Sequence, residues 1–561
     1  MIRFQRVIQT VSLLLFVVLF YFAAYPYVAG PTVDIFLRLD PLIGIGTTIS
    51  ARDFSTALLP GMVLLAAVLV MGRFFCGHIC PMGTTLDILQ APFTRRRKPS
   101  AGKASYEANA RFRGWKYVAL AAILAAALGG VSLVHLGSPL SLVTRLYALV
   151  VWPIVLLAGD LGIRLTAPLW KSFPDLAYVQ VPHKVFSTNV FTALLFSGIT
   201  ALAYRRPRFW CRNLCPAGAL MGVFSRSPLI RRHVADSCNG CGRCIRECPT
   251  AAIRETPQAT VHSECIVCLK CVRICPQSAI TFSRMKPEPE KDLRTPDPTR
   301  RTMVFGAASG FLAAALLRTS ADQPGYGGAE RIHVPEGLIR PPGALPEPDF
   351  LVKCVRCAEC MKACATNTLQ PTWLQSGIEG LFTPVMTPRL AACATDCNVC
   401  GRVCPTGAIR NLSLIEKRHA KVGTAWIVRQ NCLVWEQDRK CLVCDEVCPY
   451  NAVSFRAVPD RRNAVPFVVE NRCTGCGWCE SKCPVRGASA IRVNIVGEVR
   501  LAEGSYVEKA REYGLEFRTK DNGADTLAPE TFETGQGVKP DDGAEPFKAP
   551  DSGLPPGFIP R

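Results

Sequence analysis

The sequence predicts a multidomain fold, a four-span α-helical membrane bundle followed by small α+β domains built round cysteine quartets. Three observations carry this expectation. The chain has 561 residues, too many for one compact core. It is 49% hydrophobic yet carries a formal net charge of +21. That combination suits membrane spans with cationic loops better than a nucleic-acid binder, so no nucleic-acid partner is expected. Finally, its 28 cysteines are clustered and too sparse for a disulfide scaffold, which points to metal. No Cys-x2-Cys-His run is present, so covalently attached c-type haem is excluded.

The bundle comes first, in residues 1–233. Residues 7–33, 54–72, 117–144 and 185–204 contain no Asp, Glu, Lys or Arg. Each is near or above the length a helix needs to cross hydrocarbon. Residues 146–159 are shorter, contain Pro153 and are bounded by Arg145 and Asp160, which suits an interfacial or re-entrant segment. Charge sets the orientation. Within the connector after the second stretch, residues 95–116 hold Arg95, Arg96, Arg97, Lys98, Lys103, Arg111, Arg113 and Lys116 against Glu107 alone. The chain after the fourth stretch holds Arg205, Arg206, Arg208, Arg212, Arg226, Arg231 and Arg232 before its first acid, Asp236. Residues 30–53 have only Arg38 and Arg52 against Asp34, Asp40 and Asp53. The positive-inside rule puts the two rich regions in the cytoplasm, and a fifth crossing at 146–159 would break the parity.

Two Cys-x3-Cys-Pro motifs sit at cytoplasmic ends of these stretches: Cys76 with Cys80, and Cys211 with Cys215. Arg73-Phe74-Phe75 precedes the first and Arg208-Phe209-Trp210 the second, and Gly83 and Gly218 follow, so the two form an internal repeat. Four thiols on one surface make either a redox-active set, a seventh metal site, or reduced structural cysteines. His78 between two thiols suits a hydrogen-bonding role better than a ligand. His135 and His183 fall near the outer face and His78 near the inner, so no pair stands level for a b-type haem.

The other cysteines form six quartets. The first two, Cys238/Cys241/Cys244/Cys248 and Cys265/Cys268/Cys271/Cys275, lie in residues 234–285. The rest, in residues 350–500, are Cys354/Cys357/Cys360/Cys364, Cys393/Cys397/Cys400/Cys404, Cys432/Cys441/Cys444/Cys448 and Cys473/Cys476/Cys479/Cys483. Four keep the C-x2-C-x2-C-x3-C run of bacterial ferredoxins, whose fourth cysteine ligates the other cluster of a pair. The expected contents are therefore six [4Fe–4S] clusters in ferredoxin-like α+β domains. Cys238, Cys241 and Cys244 pair with Cys275, and Cys265, Cys268 and Cys271 with Cys248. In the later region, sequential exchange gives Cys354, Cys357, Cys360 with Cys404 and Cys393, Cys397, Cys400 with Cys364. It also gives Cys432, Cys441, Cys444 with Cys483 and Cys473, Cys476, Cys479 with Cys448. Exchange between the first and fourth of these quartets is the alternative. The second quartet here has one extra residue, the third has six, and Ala365 replaces the usual Pro. A longer loop costs little closure entropy. Zinc ribbons use two C-x2-C knuckles and no C-x3-C-P, so zinc fits less well.

Between the two cysteine regions lies a linker, residues 286–349. Within it, residues 299–318 carry Arg300-Arg301 before an uncharged stretch, 302–317, rich in Ala and Gly. This looks like a twin-arginine export signal placed mid-chain. It puts residues 234–285 in the cytoplasm and 350–561 in the periplasm. Residues 408–414, 452–457 and 488–495 read as strands, and residues 501–561 as a largely disordered tail.

On these motifs, residues 1–285 resemble NapH, the membrane quinol-dehydrogenase-type accessory protein of periplasmic nitrate reductase. Residues 299–500 resemble NapG and MauM, through the twin-arginine leader, Arg340-Pro341-Pro342-Gly343-Ala344 and the four quartets. The chain therefore looks like a NapH–NapG fusion. The resemblance implies a protein of the bacterial inner membrane that passes electrons from the quinol pool, or a cytoplasmic donor, to a periplasmic reductase or multihaem cytochrome. The alternative is a maturation reductase that assembles a metal centre in another enzyme, as MauM- and MauN-like or copper-reducing relatives suggest. No nucleotide loop, flavin motif or hydrolytic constellation appears, so no catalytic residue is assigned. Arg145 and Asp160 are candidates for the quinone site.

Overall fold

The computed structural model describes residues 2–26, 34–94, 112–166, 183–205, 207–254, 256–284, 300–321, 338–517 and 519. The cationic connector at 95–111, the linker at 286–298 and the tail beyond 519 lie outside the described residues. The chain forms two compact units. One comprises residues 1–335, 343–385 and 398–412, and the other residues 336–342, 386–397 and 413–561. The stretch 350–500, expected as one domain, is divided between them.

The first unit opens with α1 (Ile2–Phe22). The connector at 30–53 contains α2 (Pro41–Ala51), which span counting did not anticipate. Asp40 caps it, accepting from Leu42 N at 2.9 Å, with Pro41 at the first helical position. Its Leu42 and Ile43 are fully buried. Next come α3 (Leu59–Met71), α4 (Phe74–His78) and α5 (Pro81–Thr94). Gly72, at φ +68°, turns the chain between α3 and α4, so Thr56–Met71 and Phe74–Gln90 meet at 95°.

The stretch 117–144 is not one span. Helix α6 (Trp115–Leu128) stops at Gly129 and Gly130, the latter at φ +80°, and Ser138 caps a new helix, accepting from Ser141 N at 3.0 Å. That helix corrects a second expectation. α7 (Pro139–Leu146) continues through a π turn (Tyr147–Val151) into α8 (Trp152–Thr166). Together they make one apolar helix, Pro139–Thr166, of 28 residues, where the segment 146–159 had been set aside as too short. Pro153 does not end it, because the wider π turn just before absorbs the missing donor and the ring clash. Then follow α9 (Asn189–Arg205), a second π turn (Trp210–Leu214) and α10 (Pro216–Phe224).

Among the described residues, Gln5–Phe22 and Pro139–Thr166 are long and apolar enough to cross a membrane, and the bent pair raises the number to three if it counts as one span. α6 and α9 are shorter, with 14 and 17 residues. Val11, Leu14 and Leu15 of α1 and Ile154, Val155 and Leu157 of α8 are exposed, as on lipid-facing helices. The apolar core joins Phe16, Leu42, Leu64, Met82 and Leu140 to Val355 and Cys357, so the third quartet is built into the bundle's own core.

Strands β1 (Ile230–Val234) and β2 (Ile280–Arg284) pair antiparallel with Arg232 opposite Phe282, around an inner bridge between Ile253 and Thr260. Helix α11 (Arg300–Ala321) contains the twin arginines and packs along α6. The second unit repeats the nested arrangement of β1 and β2. Its outer pair is β3 (Thr424–Ile427) with β6 (Ile491–Asn494), and its inner hairpin is β4 (Val453–Arg456) with β5 (Val465–Val468). Residues 408–414, expected as a strand, make a single bridge between Ile409 and Ala344. The run ends where Ser413 accepts from Glu416 N at 3.2 Å and starts a helix at Leu414, a helix N-cap read as strand.

Candidate iron–sulfur centres

In the second unit two pockets are lined by cysteines drawn from different quartets. One is lined by Cys432, Cys441, Cys444 and Cys483 with Ile427, Val434 and Pro466. The other is lined by Cys448, Cys473, Cys476 and Cys479 with Val468 and Tyr450. Each holds three cysteines of one loop and the fourth of the other, the sets that ligand exchange requires.

Local geometry explains the sets. Gly475 and Gly477, at φ +79° and +88°, let the loop wind tightly between its thiols, and a Cβ on Gly475 would strike the Gly423 backbone. The short helices Val443–Glu446 and Trp478–Lys482 then carry Cys448 and Cys483 away from their own loops. The six extra residues before Cys441 fold on themselves. They form the helix Leu433–Gln437 and a turn at Asp438, whose carboxylate accepts from Arg462 N at 3.1 Å and Asn463 N at 3.0 Å. Cys432 therefore still reaches the pocket.

The donor set fits a cluster. Burial pushes the Cys444 and Cys476 thiols up to about 12, so these sulfurs ionise only beside a cation, which a cluster's irons supply. Backbone donors already face sulfur, Ala452 N to Cys448 Sγ and Ala425 N to Cys473 Sγ, each at 3.3 Å. Among the described residues no three of His, Cys, Asp or Glu gather tightly enough to hold a single metal ion. The chemistry a bound cluster supplies is one-electron transfer.

In the first unit Cys248 stands near Cys265, Cys268 and Cys271, and Cys244 packs with Cys271 and Cys275 beside Ile253 and Ile280. Cys404 stands near Cys357 and Cys360. Cys364 and Cys400 belong to the first unit and Cys393 and Cys397 to the second.

Both cysteine sets of the first unit are tied to the bundle by buried cations. Lys116 Nζ donates to Glu264 at 2.6 Å, Arg73 donates to Ser263 O at 3.0 Å, and Arg113 to Ala251 O at 2.6 Å. Burial raises the Glu264 pKa, but Lys116, Arg73 and Arg113 outweigh it and hold the carboxyl below its usual range. At the third quartet, Ser141 Oγ donates to Val355 O at 2.6 Å and Arg145 Nε to Arg356 O at 2.9 Å, while Arg356 donates to His135. Lys362 donates to carbonyls at the end of α1 and just past it: Phe20 O, Tyr21 O at 3.1 Å and Ala23 O at 3.2 Å. The two quinone-site candidates have different partners. Arg145 serves the cluster loop and lies 4.7 Å over the Phe382 ring, whereas Asp160 pairs with Arg164 at 2.9 Å. His78 Nδ1 lies 3.2 Å from Phe74 O within its own helix.

Family models for a 4Fe-4S binding domain match residues 53–100 and 188–234. Models for a 4Fe-4S dicluster domain match residues 230–276 and 439–487. The methylamine utilization ferredoxin-type protein MauM of Paracoccus denitrificans is 39% identical to this chain over 34% of its length and 82% of the relative. The chain belongs to this family of ferredoxin-type proteins. A MauM protein of Methylorubrum extorquens is 39% identical over 35% of the chain and 89% of the relative. The ferredoxin-type protein NapG of Escherichia coli is 37% identical over 26% and 65%. No solved structure matches the chain. The ferredoxin-type protein thus has several 4Fe-4S domains and is an electron-transfer protein related to MauM and NapG.

Proposed function

We propose that this protein is a NapH–NapG-like polyferredoxin of the bacterial inner membrane. It relays electrons between the quinol pool, or a cytoplasmic donor, and a periplasmic reductase or multihaem cytochrome through six [4Fe–4S] clusters. One observation carries the reading. The two cysteine sets of the first unit meet α1 at different levels. In its first half, Gln5 and Gln9 donate to Gly77 O, and a Cβ on Gly77 would run into the Ile266 carbonyl, between Cys265 and Cys268. At its end stands Lys362, between Cys360 and Cys364. Helix α1, about 31 Å long at 1.5 Å per residue, is one of the two helices that suit a crossing. Clusters on both faces of one bundle serve transfer across it.

A quinol gives up two electrons and two protons; clusters held by these cysteines would supply one-electron acceptors for the two electrons, and the protons would leave to water. The test is anaerobic addition of a quinol to the purified full chain, followed by EPR. Reduced-cluster signals within seconds support the relay. Signals that appear with dithionite and never with quinol overturn it and leave the maturation reading, in which another reductant charges the clusters.

A further inference from the structure

We propose that Arg145 is the buried counter-charge of the cluster held on the third-quartet loop, Cys354, Cys357 and Cys360, and that it raises the reduction potential of that cluster. The loop has the backbone of a cluster loop. Arg356 and Ala358, two and four residues after Cys354, stand at φ +52° and +67°. Gly240 and Gly242 hold the same places after Cys238, at φ +71° and +69°, and Gly475 and Gly477 hold them after Cys473. A left-handed arginine is strained where glycine is free. The loop accepts that strain for a side chain that donates to Ser132 O at 3.2 Å, to Glu379 O and to His135.

Arg145 comes to this loop from α7. Its Nε donates to Arg356 O at 2.9 Å, the carbonyl that precedes Cys357, and its Nη2 to His135 O at 3.5 Å. Ser141, one turn earlier on the same helix, donates to Val355 O at 2.6 Å. Arg145 Cζ lies 4.7 Å from the centroid of the Phe382 ring. Arg145 and Arg356 are both buried. Among the described residues no carboxylate pairs with Arg145; the charged groups that reach it are the Arg356 guanidinium and the thiols of Cys357 and Cys354. A buried cation without an opposite charge is costly, and a second cation beside it adds to the cost. Thiolates bound to a cluster are the anions this place offers.

The sign of the effect follows from charge. Reduction adds one electron, with no bond made and no proton bound, so the loop with its cluster gains one negative charge. Burial in the apolar core that Val355 and Cys357 share with Leu140 and Leu142 opposes that gain. A guanidinium, charged at every working pH, favours it. Potentials of protein-bound clusters are set by such charge and burial. The raised value lets a donor as mild as a quinol fill this cluster. For that use the inference rests on the relay reading; the pairing of charge stands without it.

The test is an anaerobic EPR redox titration of the full chain in detergent, with iron counted in the same samples. Arg145→Gln can still donate to Arg356 O but carries no charge. It should keep the iron and move the midpoint of one cluster to lower potential, at least about tenfold in the ratio of reduced to oxidised cluster, about 59 mV for one electron. Arg145→Lys keeps the charge and should titrate as wild type. Ser141→Ala removes the neighbouring tie to the same loop and no charge, and should also titrate as wild type. Unmoved midpoints in Arg145→Gln overturn the proposal, and so does an equal fall in Ser141→Ala. Should Arg145→Gln lose iron, Arg145→Lys decides: a wild-type midpoint supports the counter-charge, and a lowered one, or loss of iron there too, overturns it. A lowered midpoint in Arg145→Gln, in a protein whose wild type quinol cannot reduce, keeps the counter-charge and loses the relay.

Discussion

Glu264 answers two buried cations at once, Lys116 at 2.6 Å and Arg73 at 3.4 Å. Removing its charge leaves both unpaired in a desolvated site, so Glu264→Gln should destabilise the docking of residues 238–284 by about 3–5 kcal/mol. Limited proteolysis of detergent-solubilised protein should show that segment cleaved first; an unchanged pattern would refute the assignment. The pH dependence follows from the direction of the shift. Glu264 is depressed in the folded chain below its ordinary 4.5, so its contribution is complete above that value and is lost only as pH falls through the depressed one. Docking should therefore not change between about pH 5 and 7, below the value of about 8 to which burial lowers Lys116. In the second unit, Cys483 lines the pocket of Cys432, Cys441 and Cys444. Cys483→Ala should then lose about four irons and match Cys432→Ala in its EPR spectrum, not Cys473→Ala. A spectrum matching Cys473→Ala would return Cys483 to its own loop.

Helix α11 meets α6 through a stripe of small residues. A Cβ on Gly306 would stand 2.8 Å from Val118 O, one on Gly310 would enter the Ala122 backbone, and one on Gly129 would stand 2.7 Å from Ala314 Cβ. Such small-residue stripes let helix backbones approach closely in lipid. Gly310→Leu should separate the helices at about 1–3 kcal/mol, while Ala308→Leu, on the exposed face, should be silent. The measurement is disulfide crosslinking between cysteines placed at Ala314 and Gly129, expected to fail only in the Gly310 variant. The uncharged length of residues 302–317 showed a hydrophobic helix; the partner it packs against lies far earlier in the chain, Val118 against Gly306, and left no periodic signal in its own segment.

On the proposed relay reading, the twin arginines and the charge asymmetry would set the topology of the whole molecule. A reporter active only in the cytoplasm should be on when fused after Arg284 and off when fused after Gly497. If both fusions are on, α11 does not export the chain and every cluster faces inward. The expected four crossings were counted from uncharged length alone. That count missed the break at Gly129 and Gly130, and gave Pro153 a breaking role that the π turn at Tyr147–Val151 removes. It also took Arg145 for the end of a segment, although Arg145 is buried against the Arg356 carbonyl.

The cysteine loops were legible in the sequence because their geometry is local. Three thiols within seven residues are held by the chain between them, and turn residues such as Gly475 and Gly477 are visible in the same window. Repetition likewise exposed the two Cys-x3-Cys-Pro motifs and their arginines. Only the tertiary structure decided that Arg73 stands against Gly218 and Arg208 against Gly83, and that residues 343–385 belong with the bundle while residues 413–517 form a unit of their own. Those outcomes depend on contacts between residues a hundred or more positions apart. Their energy comes from burial and from pairing buried charge, and neither leaves a pattern in a short stretch of chain.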